Sequence, residues 1–306
     1  MKILIATQKP FAPEAVNGIK AIADEAGYQT EVLEKYPDEA ALCAAVKDAD
    51  ALIVRSDKVT ATVLDAAPKL KIVVRAGAGY DNVDLSAATS HSVVVMNTPG
   101  QNSNAVAELV MGLLVYTVRG FFNGKTGTEL RGKKLGLLAF GNVGRNVARI
   151  AKGFDMDVHA YDAYCPADAI EKSGVKAAPS ADSLFENCDI VSLHIPATPE
   201  TRGSIGYDKV MKLPKNGILL NTARAEVIDE DGLIKAMTER PDIRYIADIA
   251  PAKAAEFAEK FPGRYFATPK KMGAQTKEAN INAGLAAARQ IVGYLKDGIT
   301  KFQVNK

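Results

Sequence analysis

The residues best placed to do chemistry open with the turn Ala139-Phe140-Gly141-Asn142-Val143-Gly144, and an acid, Asp162, follows Gly141 by twenty-one positions. Glycine at 141 lets the backbone approach a pyrophosphate. Glycine at 144 lets a helix pack tightly on the preceding strand, and the helix's first amides face the anion. A carboxylate at the end of the next strand takes ribose hydroxyls and repels a 2′-phosphate, which selects NAD over NADP. Phe140, Gly141, Asn142, Val143, Gly144 and Asp162 are therefore candidate cofactor contacts. Alanine stands where the first glycine of the G-x-G-x-x-G pattern eases the tight turn, so the competing reading is an ordinary strand-turn-helix corner.

The flanking sequence supplies the elements this site needs. LGLLAF is a short apolar run, NVARIAKGF carries Val147, Ile150 and Phe154 at helical spacing, and DVHAYD reads as a half-buried strand ending in Asp162. Upstream, strand-like KILIAT, QTEVLE, ALIVRS, KIVVRA and SVVVMN alternate with helix-like segments, which predicts five parallel strands covered on both faces. Ligands in such sheets gather at the carboxyl ends of strands. Those ends hold Arg55-Ser56, the run Arg75 to Asn82, and Asn97 to Asn102. Gly77 and Gly79 would expose amides as a nest for a carboxylate, or merely permit a turn. Arg55 alone is more often a solvated surface charge.

SNAVAELVMGLLVYTVR predicts a long apolar helix between domains, capped by Asn102 or Ser103, and Gly120 to Lys133 a polar arm or loop compatible with dimer contacts. Downstream, DIVSLHI, GILLNTA, IRYIADIA and RYFAT complete a six-stranded sheet with Asn221 to Arg224, Asp248 and Pro269 to Lys271 at strand ends. KEANINAGLAAARQIVGYLKDG is a returning helix and KFQVN a terminal strand. The expected fold is α/β, with two doubly wound parallel-sheet domains: a flavodoxin-like domain of residues 1–99 and 276–306, and a Rossmann domain of residues 100–275.

Composition narrows the function classes. A net charge of +2 with no basic run gives no reason to propose nucleic acid or an anionic membrane. No apolar run reaches the ~18 residues that suggest a bilayer span, and the start MKILIATQKP has no signal-peptide pattern, so a cytoplasmic protein is expected. Cys43, Cys165 and Cys188 lack CxxC spacing and indicate neither disulfides nor a metal site. Cys43 and Cys188 are expected inside, and Cys165 in a loop near the adenosine.

GAGYDNVD, NTPGQNSNAVAE, the glycine turn with Asp162, SLHIPATPETRG, LLNTARAEVIDEDGL and TPKKMGAQTKEAN run in one order along the chain. In that order and spacing the sequence resembles the NAD-dependent D-2-hydroxyacid dehydrogenases over essentially its whole length. Within that family it is most similar to short 3-phosphoglycerate dehydrogenases of a lysine-bearing subgroup, and the end at Lys306 implies that regulatory domains are lacking. The resemblance implies that Arg224 holds the substrate carboxylate and polarises the reacting oxygen, and that the Ala78 and Gly79 amides share that carboxylate. It implies that Arg55 binds a phosphate, with Ser56, Gly77 and Asn102 as further substrate contacts. His194 and Pro196 of SLHIP, Thr222, Ala223, and Asp248 on the nicotinamide carboxamide complete the implied cofactor contacts.

Three departures stand out. A second basic residue expected two positions after Arg55 is Asp57, with Lys58 the nearest substitute. The acid/base histidine of the family's TPH motif is absent from TPKKMG: counting forward gives Lys270, counting back from the downstream helix gives Lys271, and Lys271 is preferred. The glutamate expected five positions after Asp248 is Lys253, and Glu256 is the nearest carboxylate. No other histidine replaces the missing one, since His91 opens a strand, His159 packs within one, and His194 lines the cofactor pocket. Arg224 and Lys253 would help keep Lys271 unprotonated. The implied activity is NAD-dependent oxidation of 3-phosphoglycerate by a homodimer. The alternatives are a dehydrogenase for glyoxylate, hydroxypyruvate or D-lactate, or a non-catalytic NAD-binding regulator.

Overall fold

The computed structural model describes residues 1–305. The chain divides into two units, Met1–Asn102 together with the segment from Gln275 on, and Ser103–Ala274.

In the first unit β1 (Lys2–Thr7), β2 (Gln29–Glu34), β3 (Ala51–Val54), β4 (Ile72–Arg75) and β5 (Val94–Asn97) alternate with α1 (Pro13–Glu25), α2 (Glu39–Val46), α3 (Ala61–Asp65) and α4 (Leu85–Ser90). The five strands form one parallel sheet in the order β2-β1-β3-β4-β5. Its core follows the two-residue period of a strand: Ile3 and Ile5 pack into one face, Leu4 and Ala6 into the other. Each fully buried aliphatic side chain contributes about 2 kcal/mol, which is why such runs hold as buried strands. The order reverses between β1 and β3, so the crevice at their carboxyl ends is a topological switch point.

The second unit opens with α5 (Ser103–Val118) and continues through β6 (Lys134–Leu138), α6 (Asn142–Lys152), β7 (Asp157–Tyr161), α7 (Ala167–Glu171), β8 (Lys176–Ala177), α8 (Ala181–Asn187) and β9 (Ile190–Leu193). It goes on with α9 (Tyr207–Met211), β10 (Ile218–Asn221), α10 (Glu230–Glu239), β11 (Arg244–Ala247), α11 (Ala254–Lys260) and β12 (Tyr265–Ala267). The sheet is parallel in the order β12-β11-β10-β9-β6-β7-β8, and its switch point lies between β9 and β6, where the glycine turn sits. Seven strands replace the six expected because Lys176 and Ala177 pair with His159 and Ala160, an edge strand too short to leave a periodic pattern.

α12 (Lys277–Asp297) belongs to the first unit. Thr276 caps its start by accepting from the Ala279 amide, and Gly298, at φ 66°, ends it with its amide on the Tyr294 carbonyl. Ala279, Ala283, Ala287 and Ile291 form its buried stripe. The Cβ that a residue other than glycine would bring at 284 would stand 3.1 Å from Ile19 of α1.

Four local expectations fail. The terminal KFQVN makes only an isolated bridge between Gln303 and Met96. His91 ends α4 instead of opening a strand, with its ring on the Ala87 carbonyl and Asp65. Phe154 lies past the end of α6 and is 40% exposed, and Cys43 is only half-buried.

Candidate active site

Around the glycine turn the backbone is shaped for an anion. Ala139 adopts φ 82°, the left-handed conformation that a glycine would take without penalty, and its amide bonds the Tyr161 carbonyl at 2.8 Å. Alanine thus keeps the tight turn that its side chain opposes. At Gly144 a Cβ would meet the Ala139 carbonyl at 2.5 Å, so only glycine lets α6 approach β6 this closely. At Gly141 a Cβ would meet nothing within 4 Å, and no side chain caps the start of α6. Together these leave open space facing helix amides, which suits a pyrophosphate.

Asp162 accepts from the Phe140 amide at 2.7 Å through one oxygen and from the Tyr164 and Cys165 amides at 2.7 and 3.0 Å through the other. The carboxylate ties the glycine turn to the loop after β7 and sets Cys165 beside it. Across the switch point, His194 donates its backbone N–H to the Leu138 carbonyl at 2.9 Å, and its ring lies 3.1 Å from the Ser192 hydroxyl. Burial pushes this imidazole down to about 4, so it is neutral at neutral pH. Although His194 retains some surface, its ring faces the protein, and the direction of the shift follows from that. Pro196 follows in an exposed loop pinned by Thr201, whose hydroxyl donates to the Pro196 carbonyl.

After β10, buried Asn221 folds the next turn on itself. Its side chain accepts from the Ala223 amide at 2.9 Å and donates to the Arg224 carbonyl at 2.8 Å. Thr222 Oγ1 is buried and bonds nothing among the described residues, an orphaned hydroxyl at the strand end where a bound cofactor would supply a partner. Arg224 is half-buried, and among the described residues its guanidinium reaches only the Ala223 carbonyl, at 2.9 Å.

Asp248, at the end of β11, is 0% exposed. One oxygen accepts from the Met272 amide at 2.8 Å with the Thr268 hydroxyl 3.0 Å away, and the other accepts from the Gly273 amide at 2.8 Å. A Cβ at Gly273 would stand 2.9 Å from that second oxygen, so glycine is required for the contact. The acid expected on a carboxamide therefore also fastens the loop that carries Lys270 and Lys271. Both lysines are exposed.

Lys253, one of the two residues expected to help keep Lys271 unprotonated, and Glu256, the nearest carboxylate, are both engaged elsewhere. Lys253 pairs with Asp231, which raises its pKa, and its amide is held by Glu230, so its charge is matched locally and does not act as an unpaired cation. Glu256 pairs with Lys260 one helical turn away.

In the first unit the switch point between β1 and β3 is occupied by Arg55. Its guanidinium donates to the Lys9 and Pro10 carbonyls at 3.1 Å each and to the side chain of Asn280, and it lies 5.2 Å from the Phe11 ring. No acid forms a salt bridge with it among the described residues, and burial lowers its pKa, the signature of a desolvated cation suited to an anion. Asp57 is buried, one oxygen accepting from the Gln8 amide at 2.6 Å and the Tyr36 hydroxyl at 2.7 Å and the other lying 3.4 Å from the Arg55 amide, and its charge opposes part of the effect of burial on Arg55. Ser56 and Lys58 are exposed on either side of it.

Arg75 went unassigned in the sequence. Its Nε donates to the Arg55 carbonyl at 2.9 Å, and its Nη1 occupies the space 1.5 Å from where a Gly77 Cβ would be. Gly77 is glycine because an arginine side chain lies across it, and the pair Arg-x-Gly at a strand end was the available signal. The loop is pinned by Asn97, which donates to the Ala78 carbonyl at 2.6 Å, and by the Thr98 amide on the Gly77 carbonyl. None of these bonds uses the Ala78 or Gly79 amide. Asn102 is the last residue of this unit, just before α5.

Residues 117–261 match the family described as D-isomer specific 2-hydroxyacid dehydrogenase, NAD binding domain. The chain is similar to the crystal structure of NAD+-bound 3-phosphoglycerate dehydrogenase from Entamoeba histolytica, with 47% identity and a TM-score of 0.88 over 100% of this chain and 99% of that one. It is 37% identical to a D-3-phosphoglycerate dehydrogenase of Methanocaldococcus jannaschii over 85% of this chain and 52% of that protein. It is also 31% identical to a glyoxylate reductase of Thermococcus litoralis over 100% of this chain and 97% of the reductase. The chain spans about half the length of the first curated relatives it matches. The chain belongs to the D-isomer specific 2-hydroxyacid dehydrogenases and carries their NAD-binding domain. Among the described residues no helix is long and apolar enough to cross a membrane, and no three metal-ligating side chains are grouped to hold an ion.

Proposed function

We propose that the chain oxidises 3-phosphoglycerate to 3-phosphohydroxypyruvate with NAD. The observation that favours a phosphorylated acid is Arg55, a desolvated guanidinium oriented by three oxygen acceptors and lacking an ion-pair partner among the described residues. Likeness to the Entamoeba enzyme over nearly the whole of both chains supports the same substrate.

When bound, NAD accepts the hydride from C2. The chain's residues do the remaining work. The first amides of α6 with Gly141 hold the pyrophosphate, Asp162 takes the adenosine ribose, and Thr222 Oγ1 gains the partner it lacks. His194, Pro196 and Ala223 border the cofactor, and Asp248 meets the carboxamide while fastening the lysine loop. In the second unit Arg224 takes the substrate carboxylate; in the first the Ala78 and Gly79 amides, with Gly77 and Asn102, are the carboxylate contacts, and Arg55 with Ser56 takes the phosphate. Lys271, unprotonated, removes the C2 hydroxyl proton. The glyoxylate reductase relative keeps an unphosphorylated acid as the second reading.

The active form in this reading is a homodimer in the cytoplasm. Phe121 and Phe122, at φ 56° and 55°, hold a conformation that costs aromatic residues energy, and Phe122 is 65% exposed. Tyr116, Phe121, Phe122 and Phe266 form one ring cluster that a second copy would cover.

The deciding experiment follows NAD reduction with 3-phosphoglycerate, D-lactate and D-glycerate. Phosphoglycerate should be preferred, and Arg55→Ala should raise its KM at least tenfold with little change in kcat, since a remote phosphate contact acts about equally in ground and transition states. Equal turnover of the unphosphorylated acids, or a kcat loss at unchanged KM in Arg55→Ala, would overturn the phosphate assignment.

A further inference from the structure

A buried carboxylate stands at position 57, where the resemblance implies a second cation for the substrate's phosphate. Donors reach it from the ends of three strands. The Gln8 amide, just past β1, and the Tyr36 hydroxyl, two residues past β2, donate to Oδ1, and the Arg55 amide, just past β3, lies 3.4 Å from Oδ2. From beyond β4 the Asn82 side chain donates to the Asp57 carbonyl at 2.6 Å. Burial, together with the bond to Asp57, pushes the pKa of the Tyr36 hydroxyl up, so it stays a donor. Two carboxylate oxygens can accept from all three donors. A lysine or arginine here would bring only further donors and leave those three without an acceptor.

Both ends of Arg55 depend on this carboxylate. The Arg55 amide faces Oδ2, and the Arg55 carbonyl accepts from Arg75 Nε at 2.9 Å. The guanidinium is held by the Lys9 and Pro10 carbonyls, which directly follow the Gln8 amide that Asp57 grips. The buried Thr7 hydroxyl donates to the same Lys9 carbonyl at 2.7 Å and fixes that turn a second time. An arginine loses rotamer freedom when it clamps an anion, and one already held against fixed carbonyls loses less. The charge of Asp57 repels an anion, so what the carboxylate contributes to the phosphate contact is geometry.

We propose that Asp57 is a positioning residue for the phosphate contact, acting by holding the Gln8 to Pro10 turn whose carbonyls aim the Arg55 guanidinium. The role rests on the reading of Arg55 as that contact, so the two are tested side by side. Asp57→Ala should raise the KM for 3-phosphoglycerate about three- to tenfold, the loss expected for one hydrogen bond, with little change in kcat. The kcat/KM for D-glycerate, the same acid without the phosphate, should stay within about twofold of the wild type. Asp57→Asn keeps an oxygen for Gln8 and Tyr36 and drops the charge, so it should restore the wild-type KM or lower it. Thr7→Val frees the Lys9 carbonyl with Asp57 in place; it should raise the KM for phosphoglycerate alone, and it serves if Asp57→Ala does not fold. Either change combined with Arg55→Ala should raise that KM no further than Arg55→Ala does, because both act through that side chain.

Equal losses with the two acids would make the role one of stability and overturn the proposal. Additive losses in the double variants, or an Asp57→Asn as impaired as Asp57→Ala, overturn it as well. If Arg55→Ala raises the KM and neither Asp57→Ala nor Thr7→Val does, the positioning role alone falls. If Arg55→Ala leaves the KM unmoved, the phosphate reading fails and the role falls with it.

Discussion

At the scale of single residues the test falls on Lys271. A lysine that takes a proton must first lose its own, and its ordinary pKa is about 10.4, so the oxidation rate should rise toward alkaline pH. Lys271→Ala should lower kcat by about 10²–10⁴-fold, the usual contribution of a positioned acid/base, with NAD affinity retained. Lys270→Ala should cost far less. Stopped-flow turnover with a parallel NAD titration decides between them, and near wild-type kcat in Lys271→Ala would end the assignment. His194 makes a different prediction. Its folded pKa of about 4 lies below the ordinary 6.5, so the unfolded chain binds a proton that the folded chain refuses between those values. Stability from this group is complete above pH 6.5 and is lost as pH falls toward 4. Denaturant midpoints across that window should fall less steeply with acid in His194→Gln than in the wild type; parallel slopes would show that the ring titrates normally. The placement of Asp162, Arg224 and Asp248 at or just past strand ends was legible because each stands in a run with few alternatives. What Asp57 and Lys253 do was not legible, because their partners Tyr36 and Asp231 lie twenty-one and twenty-two positions away and no local pattern announces them.

At the scale of elements, the strands that are buried on both faces were readable because continuous aliphatic runs can satisfy little else. The pieces that escaped have weak local signals: β8 has two residues, and KFQVN looks like a strand but pairs with β5 only as an isolated bridge at Gln303, with further bonds from Val304 and the Asn305 side chain. The turn before α6 was read as a nucleotide turn in spite of a weakened signal. Alanine at 139 counted against a nucleotide turn, yet the structure holds it at φ 82°, with the bond to Tyr161 and the close approach of Gly144 keeping it there. The chain accepts strain at this element and keeps the geometry. Ala139→Gly should therefore raise unfolding stability by about 0.5–1 kcal/mol, the relief of positive φ outweighing the extra freedom glycine gives the unfolded chain. Ala139→Val should lower it, since a β-branched residue tolerates that conformation least. Urea midpoints for the three proteins settle the order, and a less stable glycine variant would mean that the alanine methyl is packed rather than strained.

At the scale of the whole molecule, two parallel sheets were foreseeable from alternation alone, whereas the strand orders that set the switch points at β1/β3 and at β9/β6, and with them the positions of Arg55 and the glycine turn, emerge only in the folded chain. The aromatic cluster after α5 was not foreseeable. Gly120 to Lys133 reads as a polar loop, and only the folded chain shows Phe121 and Phe122 gathered on Tyr116, with ring centroids 5.1 Å away in each case. Two successive aromatic residues at positive φ cost about 1–3 kcal/mol each, which an isolated chain has no reason to bear for a ring left 65% exposed. In the homodimer proposed above, burial of that ring by the same cluster on a second copy would offset the cost, and the arrangement suits a two-fold interface, in which each patch meets itself. Sedimentation equilibrium should therefore give twice the chain mass for the wild type. Phe122→Asp places a charge in the centre of the patch and should shift the protein toward the monomer while leaving NAD binding by the glycine turn intact. A wild type that sediments as a monomer at micromolar concentration would remove the dimer, and a dimer that Phe122→Asp leaves equally tight would move its interface elsewhere on the molecule.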